Sequence, residues 1–437
     1  MGLTRQLGER VASLRFEDIP AAAVDTVKRG MLDTVGVLFA GRDESVVQFL
    51  LNSIHDGKEA SLLFTDKKAG SADAALVNAT AAHALDYDDT AIDGHPSVVL
   101  VPTVLAEGER VGASGRALIA AYVAGYETWA ELVSRDADKH HGKGWHPSAV
   151  FGPVAAAAAA SSLARLNPET TACALALAAS TAGGLVANFG TMAKPFQVGR
   201  AAQSGIHAAR LAAAGMSAAP DALEHPSGYL CAFSPMGRVR LDGALAEWHI
   251  LRHGLNVKRY PVCYAIHRCI DAVLEKRFST EALVSVEVRV GRLQAAMLRH
   301  GAPQSALDAK FSAQFAMAAA LISRRVGLAE LTDAYVRRQD VQALMRKVRV
   351  TSTDETDPET GLFAPYDVVT LNLAGGDEIR TREVRYPKGH ARNPLSLEEL
   401  RAKFDECTDG IRQELFQRIL RLEDFDGEKS GTDHVYL

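Results

Sequence analysis

Between Val98 and Gly215 almost nothing in the sequence resists an α-helix, and alanine dominates three runs within it, Ala155–Ala160, Ala172–Ala179 and Ala208–Ala214. Alanine has the best helix propensity, and small side chains let helix axes approach closely. A segment of this kind resolves into helices packed on helices. Asn167-Pro168-Glu169 marks one helix start, with an N-cap, a proline at the first position and an acid in the first turn; Gly183-Gly184 marks a stop. No fixed internal period is visible, so a repeat array is not expected. The apolar run Val154–Ala160 is too short and too small-sided to span a membrane.

The flanks extend this reading. Apolar spacing at Val24, Val27, Met31, Val35 and Leu38 predicts a helix over 21–41, followed by one over Ser45–Ile54 that Gly57 closes, and then a short strand or extended link at Ser61–Phe64. The character changes near Lys276. Val284-Ser285-Val286-Glu287-Val288-Arg289-Val290 alternates as a half-buried strand does, Val348–Thr351 is a second strand, and Asp367–Leu373 with Ile379–Tyr386 forms a hairpin about Ala374-Gly375-Gly376-Asp377. Helical runs lie between them at 307–323, 328–334 and 341–346. Ser396 and Glu399 make a capping box that restarts helix, with two amphipathic helices at 397–407 and 410–422 and a polar, loose tail from Glu423. The expected fold is mainly α: a large all-helical domain over 1–275, to which the helices of 394–437 return, and a smaller α+β domain over 276–393.

Chemistry concentrates in His83-Ala84-Leu85-Asp86-Tyr87-Asp88-Asp89-Thr90-Ala91-Ile92-Asp93-Gly94-His95-Pro96-Ser97, a short connection between two apolar helical runs. Rigid flanks suit a loop to function. His-Pro-Ser recurs at His146-Pro147-Ser148 after Trp145. Proline is favoured at the first helical position, so His95 and His146 are each expected to cap a helix. The positive helix end disfavours a second proton on either ring, which suits a general base. Free N–H groups at the same helix ends attract a carboxylate or phosphate. Either motif alone is also an ordinary capping loop; the pair beside an acid run points to an anion pocket that contains a base.

Other features narrow the class. A net charge of −5 gives no general attraction to nucleic acid or to acidic membranes. The five cysteines, Cys173, Cys231, Cys263, Cys269 and Cys407, contain no C-x-x-C pair, which argues against a zinc ribbon, an iron–sulfur cluster or a disulfide framework and fits a reducing compartment. The polar N-terminus has no signal-peptide character, so a cytoplasmic protein is expected. Asp86-x-Asp88-Asp89 in a helical chain also invites comparison with magnesium-binding prenyl-diphosphate enzymes, but the sequence has no second acidic motif to hold the remaining ions.

Lys194 lies in the glycine-bounded loop Gly190–Ala202, before Pro195, where it can clamp a carboxylate; a solvated lysine is the plainer reading of that residue alone. Lys258-Arg259-Tyr260-Pro261 offers adjacent cations to a di- or tricarboxylate, or is simply a linker. Tyr386-Pro387-Lys388-Gly389-His390 is either a turn or a flap over a site. Cys263 is a small buried residue rather than a nucleophile.

Taken together, Ala84–Thr90, Gly94-His95-Pro96-Ser97, Gly144-Trp145-His146-Pro147, Gly190–Ala202, Tyr260-Pro261-Val262-Cys263 with His267, Ala309-Lys310-Phe311-Ser312 and Tyr386-Pro387-Lys388-Gly389 resemble the MmgE/PrpD family of 2-methylcitrate dehydratases, cis-aconitate decarboxylases and iminodisuccinate epimerases. The resemblance runs nearly the whole length. It implies a helical domain and an α+β lid domain with the site between them, a homodimer, and no metal or organic cofactor. It places Asp86, Thr90, His95, His146, Lys194 and Lys258 around a small di- or tricarboxylate. The roles expected of them are Lys194 and Lys258, with the two helix ends, holding the carboxylates, one of His95 and His146 taking the Cα proton, the other or Asp86 protonating a leaving hydroxyl or Asp86 instead orienting a histidine, and Thr90 hydrogen-bonding a carboxylate or hydroxyl. The expected activity is a 2-methylcitrate dehydratase-like hydro-lyase, with decarboxylase, epimerase and silent carboxylate-binding paralogue as alternatives. Gln197 stands where many relatives have His, and His225 where Gly is usual; both point to a different substrate.

Overall fold

The computed structural model describes residues 2–136, 138–277, 280–359, 363–410 and 412–426. The chain is mainly helical and divides into two compact units, one running to Asn256 and resuming at Leu397, the other Val257–Ser396.

The first unit begins with helices α1 (Leu3–Ser13) and α2 (Ala21–Gly41). A short helix, Ser45–Leu51, leads to a two-stranded antiparallel ribbon of β1 (Asp56–Ser61) and β2 (Lys68–Ala69). Gly57 therefore opens a strand rather than closing a helix, and the extended segment precedes the expected Ser61–Phe64. A Cβ at Gly57 would come 2.5 Å from the Ala69 carbonyl carbon, so the close approach of the partner strand selects glycine there. Next come α3 (Ser71–His83), α4 (Pro96–Val111), α5 (Gly115–Ser134), α6 (Pro147–Leu163), α7 (Pro168–Ala179) and α8 (Ala193–Ala213). The expected start at Asn167 is present: its side chain accepts from the Thr170 N–H at 2.9 Å and Pro168 holds the first position.

Almost every residue of α3 and α6 is buried, which explains why neither shows a polar face in sequence. The alanines act by allowing contact. A Cβ at Gly205 of α8 would meet the Ala156 Cβ at 2.4 Å, and one at Gly125 of α5 would meet the Ala155 carbonyl oxygen at 2.8 Å. At such spacing a single added methyl forces helices apart, at about 1–3 kcal/mol. Helix Leu397–Cys407 packs on α2. The expected loose tail lies beyond Asp426, outside the described residues, apart from a single turn at Leu422–Asp424. Among the described residues no helix is long and apolar enough to cross a membrane.

The second unit contains a four-stranded sheet in the order β4-β3-β5-β6, with β3 (Leu283–Gly291), β4 (Val348–Thr353), β5 (Val368–Leu373) and β6 (Glu378–Arg380). β5 and β6 form a hairpin whose second strand, Glu378–Arg380, is shorter than the expected Ile379–Tyr386, while β3 and β4 run parallel and need the long helical crossover between them. The unit starts at Val257, not at the composition change near 276. The reason is packing: Ile266, Cys269, Ile270 and Val273, in and just before helix His267–Leu274, share one hydrophobic core with Val286, Val288 and Leu371 of the sheet. Strand character appears later in the chain than the core to which the strands belong.

Candidate functional site

The loop between α3 and α4 is built by backbone devices that the sequence only hints at. Asp86 takes a positive φ of 54°, reversing the chain at the end of α3. Ala91 and Gly94 exchange backbone hydrogen bonds of 3.0 and 2.9 Å around Ile92 (φ 44°) and Asp93 (φ 62°). A β-branched residue in this region is strained, by on the order of 1–3 kcal/mol. Trp129 Nε1 donates to the Ile92 carbonyl at 3.1 Å and Lys139 Nζ pairs with Asp93 at 2.8 Å, which together hold the turn. Thr90 is fixed by reciprocal backbone bonds to Asn256, at 3.0 and 2.9 Å.

His95 and His146 are the N-caps of α4 and α6, each followed by proline at the first helical position. The two helix starts adjoin: the His95 N–H donates to Ser148 Oγ at 3.1 Å. A Cβ at Gly94 would strike Trp129 at 2.7 Å and Ser148 Oγ at 3.0 Å, so only glycine permits this approach.

Behind the histidines lies Asp88, fully buried. Its Oδ1 is 2.9 Å from His83 Nδ1 and its Oδ2 is 2.7 Å from His95 Nδ1; the His95 nitrogen also lies 3.0 Å from the Asp89 carbonyl. Facing these acceptor oxygens, Nδ1 of each ring carries a hydrogen; in a neutral ring Nε2 then carries the lone pair. Burial pushes the Asp88 carboxyl up, but His83 and His95 together outweigh it and hold the group well below the usual carboxylate range. Burial lowers His83 to about 4 against the opposing pull of Asp88, and Lys194 and His95 push the same way as burial. Asp89, by contrast, is pushed well above the carboxylate range by burial and by Asp33.

Lys194 extends from the first turn of α8 and puts Nζ 2.6 Å from Asp86 Oδ1, while His95 Nε2 is 3.9 Å from that same oxygen. His146 Nδ1 is 2.7 Å from Gln197 Oε1. Burial and then the Lys194 charge hold His146 well below the ordinary imidazole value. The rings cluster: His83 to His95 is 4.5 Å edge-on between centroids, His83 to His146 is 6.2 Å stacked, and Phe189 stands edge-on to His146 at 4.9 Å with Lys194 Nζ 5.2 Å from its own ring centre. The Nε2 atoms of His83 and His146 are buried and take no hydrogen bond from the described residues.

Of the expected residues, Asp86, His95 and Lys194 are in direct contact, His146 joins them through the His83 ring, and Thr90 is held in the same loop by its backbone. Lys258 belongs to the second unit, where it is buried in the opening segment. Sequence reasoning missed His83 and Asp88 as partners. They were visible only as members of an acid-rich loop; the signal for Asp88 is that a carboxylate between two apolar helices must find donors, and both imidazoles are within reach. Gln197 stood out as a departure from the family pattern, not as the partner of His146. His225 is exposed in a local turn, its Nδ1 accepting from the Ser227 N–H at 3.0 Å.

Comparison with known proteins bears on this arrangement. Residues 5–242 match the family model of the MmgE/PrpD N-terminal domain, and residues 260–424 match the MmgE/PrpD C-terminal domain. The chain belongs to the MmgE/PrpD family. The N-terminal match contains the whole histidine cluster, and Lys258 falls between the two matched spans. Similar proteins include cis-aconitate decarboxylase of Mus musculus (27% identical, covering 97% of this chain and 91% of the relative), that of Homo sapiens (27%, 92% and 87%) and that of Aspergillus terreus (24%, 97% and 92%).

His83, Asp86, Asp88 and His95 place donor atoms within 4.8 Å of one another, residue types that can hold a cation. Their present partners do not suit that use. Both Asp88 oxygens face ring N–H groups, and the Lys194 ammonium stands where a cation beside Asp86 would stand. The positive charge at this site is an ammonium on a side chain.

Proposed function

We propose that this MmgE/PrpD protein is a lyase that acts next to a carboxylate of a small di- or tricarboxylic acid, with decarboxylation of a cis-aconitate-like unsaturated acid as its reaction. The observation that carries the reading is the Lys194–Asp86 pair set among imidazoles, two of whose Nε2 atoms take no hydrogen bond from the described residues, in a chain similar along its length to decarboxylases so named. The Lys194 ammonium and the N–H groups at the starts of α4 and α6 offer fixed positive charge to carboxylate oxygens. Lys258 is proposed as a second carboxylate holder and Thr90 as a hydrogen-bond donor. Loss of CO2 leaves an electron pair that spreads into the adjoining unsaturated acid, and a proton must then reach carbon. His95, whose Nε2 is the ring atom near Asp86 and Lys194, is the proposed donor after taking a proton along with the anionic substrate. No metal or organic cofactor enters this scheme, and the working form is proposed to be a cytoplasmic homodimer.

Dehydration is the second reading, favoured by one observation: an Nε2 lone pair in a ring that stays unprotonated is a base, and His146 has one. There His146 takes the Cα proton and His95 or Asp86 protonates the leaving hydroxyl. An ultraviolet scan of the purified protein in EDTA, against cis-aconitate and a panel of hydroxy-di- and tricarboxylates, separates the two. Falling absorbance with cis-aconitate together with CO2 release supports decarboxylation. Rising absorbance with a hydroxy acid, from a new conjugated acid, supports dehydration. Silence on every compound, with no CO2 and no change in optical rotation, overturns both.

A further inference from the structure

Gln197 sits in the first turns of α8, three positions beyond Lys194, and its amide is held at both ends. Oε1 lies 2.7 Å from His146 Nδ1, and Nε2 donates to the Leu185 carbonyl at 3.3 Å. The second bond decides the first. Because the NH2 end faces a carbonyl, the oxygen end faces the imidazole. An amide oxygen has no hydrogen to give, so the His146 Nδ1 must supply it. Neutral imidazole in water favours the other arrangement, with hydrogen on Nε2.

We propose that Gln197 is a positioning residue that selects the Nδ1–H tautomer of His146 and so presents its Nε2 lone pair for proton transfer. This inference rests on the proton-transfer role that the dehydration reading above gives His146. His146 is 1% exposed, its Nε2 meets no donor among the described residues, and Phe189 closes one side of the ring. The charged and titratable groups around it are Lys194 on α8, His83 at the end of α3 and His95 at the start of α4; all three oppose a second proton on the ring, and the Gln197 hydrogen bond is the contact that favours one. A histidine at position 197 could donate or accept through its own ring and would leave the tautomer of His146 open. The anchored amide does not.

The test reads the tautomer directly and then the catalysis. In protein labelled with 15N-histidine, the His146 ring is assigned by its loss in His146→Gln. Wild type should show hydrogen on Nδ1, and Gln197→Leu should move it to Nε2. In kinetics with the substrate identified above, Gln197→Leu should lower kcat by about tenfold or more with KM little changed. Gln197→Glu, which keeps an acceptor and adds charge, should restore the Nδ1–H tautomer, recover most of kcat and shift the acid limb of the pH profile upward. Hydrogen on Nε2 in wild type, or an unchanged tautomer in Gln197→Leu, overturns the proposal. The spectrum requires no substrate and the wild-type spectrum alone is decisive, so a variant that fails to fold leaves the test intact. A switched tautomer with unchanged kcat keeps the tautomer assignment and instead overturns the proton-transfer role of His146.

Discussion

Lys194 and Asp86, 108 residues apart, meet at 2.6 Å. Each comes from a different motif and neither is fully exposed, with side-chain exposures of 10% and 15%. The pair is the charged floor on which the imidazoles stand, and it ties the first turn of α8 to the loop after α3. Lys194→Gln removes the cation and leaves Asp86 beside the His95 ring. Under the lyase reading kcat/KM should fall by about 10²- to 10³-fold, the usual effect of losing a charge-stabilising group. Steady-state kinetics on variant protein of wild-type circular dichroism checks it; activity within a factor of about three would remove Lys194 from the site.

Asp88 serves two rings at once, so Asp88→Asn should be worse than its small change of shape suggests. One oxygen becomes an NH2 facing a ring N–H, and at least one imidazole must change tautomer or turn away. We expect a kcat loss of about 10³-fold or more, by analogy with other wrong-tautomer histidine sites. Stability should fall by about 3 kcal/mol, because a buried charge network loses a partner. Urea midpoints and kcat, measured together, check both; a stable and active variant would contradict the shared-carboxylate geometry.

Acid should destabilise the fold through His83. Its folded value is about 4 against an ordinary 6.5, so in that window the unfolded chain binds a proton that the folded chain refuses. Stability is therefore full above about 6.5 and declines as pH falls towards about 4. Between pH 7 and 5 this group alone should cost about 2 kcal/mol. His146, also lowered, adds in the same direction. Urea unfolding of wild type and His83→Gln at both pH values checks the sign: the variant should lose less on acidification.

Gly94→Ala tests the seam between α4 and α6. The added methyl would sit 2.7 Å from Trp129 and 3.0 Å from Ser148 Oγ, the atom that receives the His95 N–H. A loss of about 1–3 kcal/mol is expected, as for overpacking elsewhere, with a fall in kcat as His95 is displaced. A substitution neutral in both thermal melts and turnover would show that the loop repacks freely.

EDTA should leave turnover unchanged, because the cation beside Asp86 is the Lys194 ammonium. Assays with and without chelator, followed by magnesium or zinc addition, check it. Activity abolished by EDTA and restored by one metal would assign His83, Asp86, Asp88 and His95 to that ion instead.

Much of this protein is local physics and could be read from the chain. Alanine-rich runs make close-packed helices, proline after His95 and His146 makes those residues N-caps, and alternation makes Val284–Val290 a strand, because each depends on residues within a turn or two of one another. The candidate site's loop, its two histidine N-caps and its lysine stand out in the sequence on the same local grounds. Tertiary structure alone decided which groups meet. Asp88 rather than Asp86 backs the imidazoles, His83 joins the cluster, and Gln197 reaches His146 across 51 residues. It also set the unit boundary at Val257, where helix His267–Leu274 enters the core of the sheet. The physical reason is common to all of these. Which of three neighbouring carboxylates keeps its charge depends on burial and on donors brought from distant helices, and a sequence records the residues without the distances between them.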